Sequence, residues 1–366
     1  MSQNFTPSPS LPPPASSTGV VGWLRLNLFS SLLNTTFTFL ALITLYFTLP
    51  PVINWAFLNA TWTGTSASDC SVNSGACWAF IDAYFQQFMY SFYPEPERWR
   101  VNAAFILVIG CVALYALKGV NKALLTLIIL IPYPIIAFYL FLGGSFGLEH
   151  VETTQWGGLF LTIVLSGTSI VVSFPIGIVL ALGRRSKLPI VKALCVGFIE
   201  VFRGVPLISV LFMASVMFPL FLPEGVNFDV LLRATIGIIL FQAAYMAEVI
   251  RGGLQAIPKG QYEAADALGF GYWRTMYFII LPQALKIVIP NIVSIFITLF
   301  KDTSLVMIIG LFDFLGKIQA ATIEPRWGHV TTEGYVFAAF VYWVFCFSMS
   351  RYSVHLENKL HTGHKR

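Results

Sequence analysis

The chain has 366 residues, of which 57% are hydrophobic, 15% aromatic and only 11% charged, whereas soluble domains run near a quarter charged. Water is therefore excluded as the main solvent, because one globular core accounts for a few apolar runs but not for many runs with so few charges between them. The net charge of +5 is modest and gives nucleic-acid binding no support.

Residues 1–28 read as a disordered tail, rich in Pro and Ser and lacking the early basic residue and apolar core of a cleaved signal. A bilayer-spanning helix needs about twenty mostly apolar residues, and eight segments qualify: 30–56, 101–117, 123–142, 158–182, 204–222, 230–250, 285–300 and 335–354. The fifth contains Pro206 and Pro219 and the seventh runs into Lys301-Asp302, so both are expected to be tilted, broken or partly re-entrant. With the amino terminus inside, sixteen Lys and Arg fall on the cytoplasmic side and six outside, which favours this orientation and puts both termini in the cytoplasm.

Residues 58–100 then form an external loop. Cys70 and Cys77 lie there in a polar stretch, close enough in sequence to close a disulfide in an oxidising compartment. Trp62, Trp78, Tyr84, Tyr90, Tyr93 and Trp99 give this loop the aromatic character of a packed cap at the membrane interface. Cys111, Cys195 and Cys346 sit in or beside apolar segments and read as packing residues. A boundary near 154 divides three accessory helices (29–153) from a five-helix region (154–355), followed by a basic tail (356–366). The expected fold is an all-α, polytopic membrane helix bundle of about eight transmembrane helices.

Residues 256–282 are too polar and too punctuated by Gly and Pro to cross a bilayer. Helix formers from Gln261 to Leu268 meet Gly269, a natural stop, and a second helical pattern runs from Tyr272 to Ile280. A helix, glycine turn and helix on the cytoplasmic face follow, presenting the small residues Ala264 and Ala265 beside Glu263 to a partner. Glu263-Ala264-Ala265, with Gly269 four residues on and then Ile279-x-Leu281-Pro282, resembles the EAA signature of binding-protein-dependent ABC importer permeases. Glu200-Val-Phe-Arg-Gly-Val-Pro-Leu207, Ala244-Tyr-Met-Ala-Glu-Val-Ile-Arg-Gly-Gly253 and Lys301-Asp-Thr-Ser-Leu305 look like the polar amino-acid branch of that family, and the resemblance covers about 154–355. The extra leading helices resemble the general L-amino-acid transporter type.

The resemblance implies a type I ABC importer permease core in a bacterial inner membrane, with no cofactor of its own. It also implies separate ABC ATPase subunits that bind the ATP, a second homologous permease, an external substrate-binding protein and an amino-acid substrate, in surrounding membrane lipid. Glu263, Ala264, Ala265 and Gly269 become the ATPase-contacting residues, and Ile279, Leu281 and Pro282 shape the return to the membrane.

Ionisable groups at membrane depth need a partner, a wet cavity or the interface. Glu200 with Arg203, and Glu248 with Arg251, have the three-residue spacing for local pairing on one helix face. Lys301, Asp302, Thr303 and Ser304 combine a cation, an anion and two hydroxyls able to hold both ends of a zwitterion, with helix capping as the competing reading. Gln242 and Tyr245, a turn before Glu248, are further pathway candidates. Gly310 and Gly316-Lys317 superficially resemble a phosphate loop, but the spacing is one residue too long and Ile318 stands where Ser or Thr is required. His361 and His364 lie in the basic tail without further metal ligands. The competing function is a secondary amino-acid transporter driven by an ion gradient, which requires paired inverted repeats that the sequence does not display.

Overall fold

The computed structural model describes residues 19–70, 75–117, 119–223, 225, 228–328 and 330–360. Lys118, Lys365 and Arg366, which entered the charge count, and the His361/His364 pair lie outside them. The described chain is helical throughout, without a β-strand. Among the described residues seven helices are long and apolar enough to span a membrane, and a bent pair raises the count to eight.

Contacts divide the chain into two compact units, 1–79 and 80–366. In the first, α1 (Gly19–Asn27) precedes α2 (Leu32–Ile53), so part of the expected tail is helical. Ser31 caps α2, its hydroxyl accepting from the Asn34 N–H. Beyond α2 the chain is tied by Thr61 N–H to the Ala76 carbonyl, Ala76 N–H to the Trp55 carbonyl, and Trp78 Nε1 to the Ala56 carbonyl at 2.7 Å. Cys70 and Cys77 are joined in a disulfide with Cα atoms 5.5 Å apart. Loop-closure entropy for so short a ring stabilises it by about 2–3 kcal/mol. The intact protein is therefore expected to resist thiol alkylation at both positions until reduced and to lose stability as Cys70→Ser. Alkylation of both without reductant would contradict this.

The second unit holds α3 (Ala79–Tyr90), α4 (Arg98–Ala116), α5 (Lys122–Leu130), α6 (Pro132–Leu142), α7 (Gly158–Arg184), α8 (Pro189–Gly204), α9 (Leu207–Phe212), α10 (Val230–Ala256), α11 (Lys259–Ala267), α12 (Leu281–Asp302), α13 (Phe314–Thr322) and α14 (Thr331–Leu360). The span around α12 is longer than the sequence suggests, running from Tyr272 to Ile309. Pro282 follows the wide turns of Thr275–Ile280, which run straight into α12.

α8 had no counterpart among the predicted elements. It meets α9, which continues in irregular turns to Phe221, at 105°. Val205 between them is extended because it precedes Pro206. α3, also unpredicted, buries Phe80 and Phe88 against Trp327 and Phe337, which gives the packed cap a physical basis. Tyr93 is buried with its hydroxyl on the Phe141 carbonyl at 2.9 Å, and Trp99 is exposed.

α4 and α6 share a core cluster with α7, α9 and α10, in which Phe141 and Phe160 lie 4.9 Å apart. A second cluster joins Ala181, Ile199, Met246, Ile250, Ile280 and Ala284. Helix approach in the second is close: a Cβ on Gly177 would come within 2.7 Å of Met246. One face of α7 carries the buried hydroxyls Thr162, Ser166, Ser169 and Ser173 at helical spacing, the small-residue surface that lets membrane helices touch.

Asp313 is fully buried at the start of α13, its Oδ1 accepting from the Gly316 N–H at 2.8 Å and its Oδ2 from the Tyr342 hydroxyl at 3.2 Å. Burial raises its carboxyl from 3.8 to about 6, with the hydrogen bonds opposing. The raised folded value means the protonated form suits the fold. The associated stability is complete below about pH 4 and lost as pH rises through 6, by roughly 3 kcal/mol at 1.36 kcal/mol per unit. Asp313→Asn keeps the Oδ1 acceptor and is expected to flatten the melting temperature across pH 4–7. An unchanged pH profile would contradict this.

Candidate functional site: a surface helix and the charge cluster above it

α10 ends because Ile257 precedes Pro258 and takes an extended conformation. α11 follows at once and closes on Gly269, whose φ of +75° is a left-handed conformation that favours glycine. The Leu268 N–H reaches the Ala264 carbonyl at 3.1 Å and the Phe270 N–H the Ala265 carbonyl at 3.1 Å, satisfying carbonyls the helix end would leave open.

Glu263, Ala264, Asp266, Ala267 and Leu268 are exposed. Ala265 is only 1% exposed and faces inward, so the partner surface read from the sequence contracts from Ala264 and Ala265 to Ala264 alone. The helical period turns adjacent residues about 100° apart. Ile279 and Leu281 pack on the second core cluster, as does Tyr262, while Pro282 is exposed. The expected second helix of this segment is no separate element: Tyr272–Arg274 and Thr275–Ile280 lead straight into α12.

Side chains fasten α11 to the spanning helices. Arg185, the residue after α7, donates through Nη1 to the Leu254 carbonyl at 2.9 Å and to the Tyr262 hydroxyl at 3.2 Å, its guanidinium 5.8 Å from the Tyr262 ring. Gln283 Nε2 donates to Gln261 Oε1 at 3.1 Å. In the sequence, the position of Arg185 directly after a long apolar run is the one signal that it could turn back on the helix ends.

Glu248, on α10, is the centre of a charge cluster. Its Oε1 accepts from Arg251, as the three-residue spacing predicted. Arg184 Nη1 lies 3.4 Å and Arg203 Nη1 3.9 Å from its Oε2. The Glu200/Arg203 pair expected on one helix face is not formed. Glu200 instead meets Arg184 of α7 at 2.8 Å, and Arg203 turns toward Glu248 and the Tyr245 ring. α8 is rotated so that Glu200 faces α7, and a longer, cross-helix pair wins over the local one.

The remaining pathway candidates do not converge. Gln242 is buried and bridges α10 to α12 through the Ile295 carbonyl at 3.3 Å. The Thr303 hydroxyl donates to the Phe300 carbonyl at 2.9 Å and the Ser304 hydroxyl to the Lys301 carbonyl at 2.8 Å, so both serve the helix end. Lys301 is exposed and Asp302 half-buried. Because Gln242 meets Ile295 in antiparallel helices, Glu248 and Asp302 lie on opposite sides of that level, about 20 Å apart at 1.5 Å per residue. The Gly316-Lys317 dipeptide is committed to packing, with Lys317 buried and its ammonium 3.6 Å from the centre of the Phe92 ring.

Comparison with known proteins bears on these features. Residues 173–362 match the family described as binding-protein-dependent transport system inner membrane component. The chain is 54% identical over 361 residues to the inner membrane amino-acid ABC transporter permease protein YhdY of Escherichia coli K12, covering 96% of each. It is 39% identical to the glutamate/glutamine/aspartate/asparagine transport system permease protein BztC of Rhodobacter capsulatus, across 97% of this chain and 96% of that one. Among solved structures, an amino acid ABC transporter with histidines matches 55% of this chain and 92% of its own at 29% identity and a TM-score of 0.48.

Proposed function

The chain belongs to the binding-protein-dependent transport system inner membrane components, and from that membership we propose that it is the permease subunit of an ATP-driven importer of polar L-amino acids. Residues 154–355 line half of a translocation path completed by a second, homologous permease. An external binding protein delivers the amino acid, and two separate ABC ATPase subunits dock beneath α11. Both termini and α11 face the cytoplasm.

One observation carries the reading: a short helix bearing Glu263 and Ala264 on its exposed face, closed by Gly269 and tied by Arg185 and Gln283 to three spanning helices. A partner that pushes on α11 moves the ends of α7, α10 and α12 together, as rigid-body switching between outward- and inward-facing states requires. No bond is made or broken in this chain. The names of the relatives, both amino-acid permeases, support amino acids as cargo.

The test is co-reconstitution with the candidate ATPase and binding-protein subunits. Glutamate, glutamine, aspartate or asparagine is expected to stimulate ATP hydrolysis at least several-fold. Ionophore-sensitive uptake by the chain alone, indifferent to ATP, would instead establish the gradient-driven alternative.

A further inference from the structure

Between the end of α8, α9 with the turns that follow it, and the first half of α10 lies a cavity of about 610 Å³, within the ~300–1,000 Å³ range of ligand sites. Its lining includes Phe202, Met213, Met217, Phe221, Ile236 and Leu240. Among the described residues of that lining Arg233 is the one that is charged; the others are apolar or glycine.

Arg233 is only 8% exposed. It donates through Nη1 to the Ser215 carbonyl, and its Nε has no partner. No carboxylate pairs with it among the described residues. Asp229, one turn away, is engaged by the Thr153 hydroxyl and the Leu232 N–H. A buried guanidinium that meets no counter-anion among the described residues of an apolar pocket is costly and calls for an anionic ligand.

Depth identifies which anion. α10 has 27 residues, about 40 Å at 1.5 Å per residue, against a hydrocarbon core of ~30 Å. Arg233, in its first turn, therefore lies at the boundary of headgroups and acyl chains. Ile236 and Leu240 continue one and two turns deeper. The described side chains of the lining offer nothing to accept from an ammonium group, which favours an anion with an apolar body over a zwitterion.

We propose that this groove binds one phospholipid, its phosphate on Arg233 and the upper part of an acyl chain along Met213, Met217, Ile236 and Leu240. In the orientation proposed above the lipid comes from the outer leaflet. The bound chain braces the bend between α8 and α9, placing a lipid contact against the helix that carries Glu200 and Arg203.

The probe is phosphatidylglycerol carrying a photoreactive diazirine in one acyl chain, irradiated with the full chain in its native membrane and mapped by mass spectrometry. Adducts are expected on Met213, Met217, Ile236 or Leu240. Arg233→Gln should lower their yield at least fivefold and Arg233→Lys by less than twofold. Leu240→Trp, which fills the groove but keeps the charge, should also lower it at least fivefold. In the wild type, a diacylglycerol probe lacking the phosphate should label these residues at least fivefold less, and millimolar glutamate or inorganic phosphate should leave labelling unchanged. Equal labelling by the two probes, displacement by glutamate or phosphate, or cross-links from the groove to another subunit would overturn the assignment.

Discussion

Gly269→Asp and Glu263→Lys should each reduce amino-acid uptake to below a tenth of wild type while the chain still inserts at normal levels. The reason is local. Gly269 is exposed, and nothing lies within 4 Å of the position a Cβ would take, so a side chain there meets no clash. The left-handed backbone adds about 1–2 kcal/mol for an ordinary L-residue, less for Asp or Asn. A carboxylate adds a like charge at the negative end of α11, where Asp266 already stands. Neither amount unfolds a protein held by two core clusters. The expected damage is to the proposed docking surface, where a misplaced or reversed charge would oppose association by several kcal/mol. Gly269→Asn separates the effects: it tolerates the backbone and adds no charge, so it should keep most of the uptake. Quantified insertion, ATPase capture and uptake check the set, and normal uptake in both charged variants would remove α11 from the coupling role.

Glu248→Gln should destabilise the spanning region markedly. Its carboxylate faces three guanidiniums within 4 Å, from Arg184, Arg203 and Arg251, and its side chain is 19% exposed. Removing one member of a buried ion pair costs about 3–5 kcal/mol because the remaining charge is stranded. Partial exposure lowers this to about 2–3 kcal/mol, or roughly 5 °C in melting temperature for a chain of this size. The loss should be smaller when Arg251→Gln is added, because Arg251 pairs with Glu248 alone among the described residues, whereas Arg184 keeps Glu200. A double-mutant cycle should give a coupling of at least about 1 kcal/mol. Strict additivity would mean that the cluster contributes nothing as a unit.

The two predictions concern neighbouring layers of one device. The Glu248 cluster joins α7, α8 and α10, and Arg185, adjacent to Arg184 in sequence, joins the end of α7 to α11. In the proposed coupling, movement at α11 would reach a polar layer in the spanning region through two consecutive arginines. A Glu248 variant that keeps ATPase binding but loses transport would locate the coupling failure above the docking surface.

Much of this was legible in the residue order. Apolar runs of about twenty residues dictate spanning helices because a bilayer leaves backbone polar groups no other partner, and each of the eight expected segments overlaps an observed span or the bent pair, though not end for end. The polarity of 256–282, with Pro258 and Gly269 as punctuation, similarly specified a surface helix and its end. These are local properties, set by backbone sterics and solvent, so the sequence alone determines them.

Rotation of one helix about its axis against the next is not local, and only the tertiary structure decided it. Close packing at small residues constrains that rotation, as where a Cβ on Gly183 of α7 would strike Cys195 of α8 and one on Gly177 would strike Met246 of α10. It turned Glu200 toward Arg184 instead of Arg203, Ala265 inward instead of outward, and Arg233 into an apolar groove. Spacing along the chain says which residues share a helix face, but which face meets a neighbour depends on contacts summed over every helix at once.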